Sequence, residues 1–111
     1  MAGVVLAAKG ENKMITIYHA NESILPHSFA YGFGCPMERL IVEWNNGQYE
    51  QAGVIDTDDL NVAYRESQNL AEAWGDGNQR STSIGDILET ADGVYLVAPE
   101  GFDKIKIKVA A

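Results

Sequence analysis

Cysteine is almost absent from this chain. A single residue, Cys35, among 111 excludes an intramolecular disulfide framework and any cysteine-rich zinc module, so the fold must be held by its core. Basic residues are scarce as well: eight Lys and Arg stand against sixteen Asp and Glu, a formal charge of −8. Such a surface repels phosphate backbones and anionic lipid, which disfavours nucleic acid and membranes as partners. Long apolar runs are missing. The longest, residues 4–8, falls far short of the ~20 residues of a bilayer span and follows no basic residue, so neither a span nor a signal peptide is expected and the chain reads as cytoplasmic. Only two histidines occur, His19 and His27. Pro26 separates them, and without a His-x-x-x-His spacing neither a metal nor another cofactor is expected.

What is present is enough apolar side chain for one core. With 46% of its residues hydrophobic, the chain has the size and content of one domain, expected over residues 14–111, behind a loosely ordered extension over residues 1–13. Charge concentrates in the middle: residues 50–92 carry ten acids against Arg65 and Arg80. This is a solvated face or a surface for a basic partner.

Residues 14–18 alternate as a strand. Residues 21–38, with two prolines and two glycines, read as a long loop with one short helical turn. Residues 40–44 also alternate and precede Asn46-Gly47, a dipeptide suited to a type I′ turn, which predicts a hairpin with Trp44 facing Tyr49. Asp56, Asp58 and Asp59 then supply the cap and first turn of a helix whose stripe is Leu60, Ala63, Tyr64 and Ser67, ending near Asn69. The three aspartates do not follow the calcium-loop pattern, so capping is the reading preferred over a metal site. Residues 86–90 and 94–98 form a second hairpin around Asp92-Gly93, placing Leu88 against Val97, and residues 104–109 alternate as an edge strand guarded by Lys104, Lys106 and Lys108. The order gives an α+β domain of five to six mostly antiparallel strands packed on one main helix, with room for the sheet to curl into a partial barrel.

No catalytic constellation stands out. Gly32-x-Gly34 lacks the lysine and following helix of a phosphate cradle, Cys35 has no adjacent base, and Ser81 and Ser83 sit in no nucleophile elbow. The run Arg80-Ser81-Thr82-Ser83-Ile84-Gly85-Asp86-Ile87-Leu88, followed by Gly93-Val94-Tyr95-Leu96-Val97 and Gly101-Phe102-Asp103-Lys104-Ile105, resembles the YodL-like domains and related small proteins of phages and mobile elements. The resemblance spans roughly residues 54–105 and implies a mobile-element origin and a fold neighbourhood; it carries no catalytic residue. The reading that follows is a small, non-enzymatic cytoplasmic accessory protein that binds a protein partner. The second reading is a nucleic-acid or nucleotide-binding module using Arg80 and the lysine strand. Candidate binding residues are Arg80, Ser81, Ser83, Asp86 and Trp74. Arg80 is expected to tie its loop to Asp86 or to the acidic helix start as a near-surface ion pair worth up to about 1 kcal/mol, with Trp74 as an exposed anchor.

Overall fold

The computed structural model describes residues 14–68 and 80–105. Five strands form one antiparallel sheet: β1 Met14–Ala20, β2 Tyr49–Asp56, β3 Ile87–Thr90, β4 Gly93–Val97 and β5 Phe102–Ile105, in the spatial order β2-β1-β3-β4-β5. Among the described residues the sheet is open, with β2 and β5 at its edges, and does not curl into a barrel. Three helices accompany it among the described residues, α1 Leu25–Phe29, α2 Met37–Asn45 and α3 Leu60–Glu66, with a 3₁₀ turn at Glu22–Ile24 leading into α1. No helix among the described residues is long and apolar enough to cross a membrane.

Because side chains alternate across a strand, the sheet has two apolar faces, and helices cover both. On one face Ala20, Ile87, Leu96 and Ile105 pack with Leu40, and with Met37, Ile41 and Trp44 of α2 around them. On the other, Ile15, Ile17, Ile55, Leu88 and Val97 pack with Ala63, flanked by Leu60 and Tyr64 of α3. The single main helix expected from the sequence is therefore α3, and it has counterparts on the opposite face.

Residues 40–44 form helix where the alternation predicted strand. Met37, Leu40, Ile41 and Trp44 fall at i, i+3, i+4 and i+7, so a helix turns all four toward the sheet and leaves Val42 54% exposed. Pro36 at the N-cap, in extended conformation, starts it. Trp44 does meet Tyr49, edge to face at 5.7 Å, but across a helix–strand corner. Glu43 pairs with Arg39 one helical turn back at 3.5 Å. Asn46-Gly47 ends this helix: Asn46 has φ −93°, which excludes a type I′ turn, and Gly47 takes φ +77° just beyond it. Gly47→Val should cost about 1–2 kcal/mol in urea unfolding, because a β-branched residue is strained at positive φ. The space around a Cβ at Gly47 is open, so Gly47→Ala should cost less than the valine.

The α3 helix starts later than the acidic cluster suggested. Asp59 is the cap, accepting from the backbone N–H of Asn61 and Val62, while Asp56 closes β2. The second hairpin is present with its register moved by two: Leu88 faces Tyr95 and Thr90 faces Gly93. Thr90 closes the turn early, its hydroxyl donating to Asp92 and accepting from the Asp92 N–H. Trp74, Asn69, Lys106 and Lys108, and the extension over residues 1–13, lie outside the described residues.

Candidate functional site

Four residues of the motif after α3 converge on the end of β1. Ser83 C=O accepts from the Asp86 N–H at 3.0 Å, closing a turn whose third residue, Gly85, has φ +89°. The turn aims the Asp86 side chain inward, where it is fully buried. One carboxylate oxygen accepts from the Ala20 N–H at 2.9 Å and Arg80 Nη2 at 2.8 Å; the other accepts from the Ser83 N–H and Arg80 Nη1, each at 2.8 Å. The guanidinium fork therefore matches the carboxylate with two parallel bonds, the strongest geometry available to this pair.

Arg80 donates further, to Ala20 C=O at 3.2 Å and to Ser81 C=O at 3.0 Å. Both polar groups of the Ala20 peptide are thus held by one ion pair. β1 pairs with β3 only from Thr16 to Tyr18, and beyond that point Arg80 and Asp86 replace the backbone ladder. Phe29 at the end of α1 lies under the guanidinium, 5.9 Å from ring centroid to Cζ.

His19 stands beside this pair, 7% exposed, with Nε2 3.0 Å from the hydroxyl of the more deeply buried Thr82. Burial pushes its pKa down to about 4; the nearby Asp86 charge opposes the shift and Arg80 adds to it. His19 is consequently neutral in the folded protein at pH 7. The unfolded chain takes up a proton near pH 6.5 and the native one only near 4, so the stability held by neutral His19 is complete above 6.5 and is lost as pH falls toward 4. We expect roughly 2–3 kcal/mol to disappear across that window, and His19→Gln to flatten this part of the stability–pH curve measured by urea unfolding.

A groove of about 590 Å³ opens outside the network, with Arg80 and His19 on one side and Glu22 and Glu50 among its other walls. Its rim carries two carboxylates against a guanidinium already bound to Asp86, a poor arrangement for phosphate. Among the described residues no three His, Cys, Asp or Glu side chains converge as a metal site would require. Cys35 has its thiol pKa raised, chiefly by burial, which lowers its nucleophilicity at neutral pH.

Of the two partners expected for Arg80, the structure shows Asp86 rather than the helix start, and Ser83 joins the pair through its backbone N–H. The expected surface ion pair is instead half inside the protein: the Asp86 side chain is 0% exposed and that of Arg80 30%. Ser81 contributes its carbonyl, to Arg80 and to the Ser83 hydroxyl. Two residues passed over in the sequence reading are Phe29 and Phe33, 48% and 70% exposed. Their signal was a pair of aromatics inside a polar, glycine-containing stretch. No family model matches this chain, and neither the curated proteins nor the solved structures contain a match to it.

Proposed function

We propose that this chain is a small, non-enzymatic, cytoplasmic accessory protein of the phage or mobile-element type, related to the YodL-like domains, that acts by binding another protein. One observation carries the reading: a large aromatic side chain, Phe33, is left 70% exposed on a short segment of a well-covered acidic domain, close in sequence to Phe29, which is half-exposed beneath the Arg80 guanidinium. Aromatics that the core does not use are the side chains from which protein interfaces draw most of their energy.

The motif residues that looked most chemical support the same reading, because their bonding capacity is spent on one another. Asp86 accepts four hydrogen bonds and Arg80 donates to two carbonyls besides. The module binding nucleic acid or nucleotides is the weaker alternative, since Arg80 is committed and Lys104 lies over the Tyr95 ring at 5.9 Å. Affinity capture with the whole chain, followed by calorimetry on the purified pair, tests the choice. A stoichiometric protein complex is expected; saturable binding of RNA or a nucleotide with a steep salt dependence, and no protein complex, would replace this reading with the alternative.

A further inference from the structure

Between α1 and α2 the chain makes a tight loop over residues 30–35 that is fastened at every step. The Ala30 carbonyl accepts from the N–H of Phe33 at 2.8 Å and of Cys35 at 3.1 Å, the Gly32 N–H donates to Cys35 C=O at 3.3 Å, and the Tyr31 N–H donates to Ser28 C=O at 3.1 Å. Tyr31 anchors the base: its ring is 6% exposed and its hydroxyl donates to Asp103 of β5 at 2.5 Å. Pro36 then starts α2 directly. Within this fixed frame Phe33 points out and stays 70% exposed.

The charges beside the loop are predominantly acidic: Asp103, Glu38 and Glu43 outnumber Arg39, whose guanidinium acts on Cys35. Tyr31 feels both Asp103 and Glu38, whose negative charges help raise its hydroxyl pKa after burial and the Asp103 hydrogen bond. Arg39, the cation next to Glu38, is engaged with Glu43 at 3.5 Å and with a ring nitrogen of His27 at 3.2 Å. The tip is thus apolar and its flanks are acidic on balance.

We infer that the loop over residues 30–35 is a preorganised docking knob, with Phe33 as the anchor that enters an apolar pocket rimmed by lysine or arginine on a partner protein. The inference rests on the protein-binding reading and adds the surface and the chemistry of the partner. A loop held by its own backbone bonds loses little conformational freedom on binding, so the aromatic contact is not offset by ordering. The acidic flanks select the rim: a second copy of this chain would bring charge −8 against the same sign, and an anionic bilayer would be repelled likewise.

Photo-crosslinking followed by reconstitution tests this. Benzoylphenylalanine is placed at Phe33 and, as a control, at Val54, which is 43% exposed on β2, in cells that produce the chain; the protein crosslinked from position 33 is then purified and used as the probe in calorimetry. Phe33→Ala should keep the melting temperature and weaken that binding by about tenfold or more. Glu38→Lys should weaken it by about threefold or more, and wild-type affinity should fall as salt rises. Unchanged binding of Phe33→Ala, indifference to Glu38→Lys and salt, or crosslinking of a second copy of the chain would overturn the knob. A partner captured only from position 54 would overturn the knob while leaving the protein-binding reading intact, whereas no protein partner from any position or from whole-chain capture would remove both.

Discussion

Arg80→Ala should destabilise the protein by about 3–5 kcal/mol, several times the cost of losing a surface ion pair. The reason is what remains behind. Asp86 is fully buried and keeps two backbone donors, the N–H groups of Ala20 and Ser83, but loses the cation bonded to it. A buried carboxylate without its counter-charge must stay ionised at high cost or take up a proton and forfeit acceptor capacity. Arg80→Lys should be intermediate, since an ammonium supplies the charge but not the two-pronged fit to the carboxylate or the bonds to Ala20 and Ser81. Urea unfolding at pH 7 measures both variants. A loss below about 1 kcal/mol for Arg80→Ala would return the pair to the surface class.

Gly85→Ala should cost about 3 kcal/mol or more, from two independent sources. A Cβ at Gly85 would lie 2.1 Å from the Ser28 carbonyl oxygen and 2.5 Å from its carbon, which is backbone of α1 and cannot rotate away. The residue also holds φ +89°, where any side chain adds strain. Overpacking of this kind is worth about 1–3 kcal/mol before the strain is counted. Relief by movement is blocked, because Gly85 is tied on other sides by its N–H to Val97 C=O at 2.9 Å and by the Tyr49 hydroxyl to its own carbonyl at 2.7 Å. The glycine of the motif therefore serves close approach between α1 and the sheet. Serine at this position should be as damaging as alanine, and a thermal melt separates either from wild type. An unshifted melting temperature would mean that α1 does not pack against the turn.

How far the sequence led depends on the range of the interaction. Strand β1, helix α3 with Ala63 and Tyr64 inward, and the hairpin of β3 and β4 all rest on local pattern and turn chemistry, and they are present. Residues 40–44 misled because Leu40, Val42 and Trp44 satisfy a period of two while Leu40, Ile41 and Trp44 satisfy the helical one, and a run this short decides nothing alone. Met37 and Pro36 break the tie. They extend the apolar stripe backward and cap it, which a reading that opened the element at Leu40 did not use.

The hairpin register slipped for a comparable reason. Asp92-Gly93 is a strong turn dipeptide, yet the hydroxyl of Thr90 bonds Asp92 and moves the turn one residue earlier. Within the motif, the pairing of Arg80 with Asp86 is local and could be read from the sequence. The burial of that pair could not, because it depends on Ala20, 66 residues away from Asp86, and on His19 and Thr82 packing alongside. The exposure of Phe33 was likewise hidden, since it follows from Tyr31 reaching Asp103 across 72 residues and thereby fixing which aromatic turns inward.

The account depends most on Arg80 serving Asp86 inside the fold rather than a ligand outside it. A double-mutant cycle on Arg80→Ala and Asp86→Ala, read as urea unfolding free energies at pH 7, addresses that directly. The two losses should be strongly non-additive, with a coupling of about 2–3 kcal/mol, because each single variant strands a partner that the double variant removes. Losses that add to within about 0.5 kcal/mol would contradict the account, leaving Arg80 energetically independent of Asp86 and available for recognition.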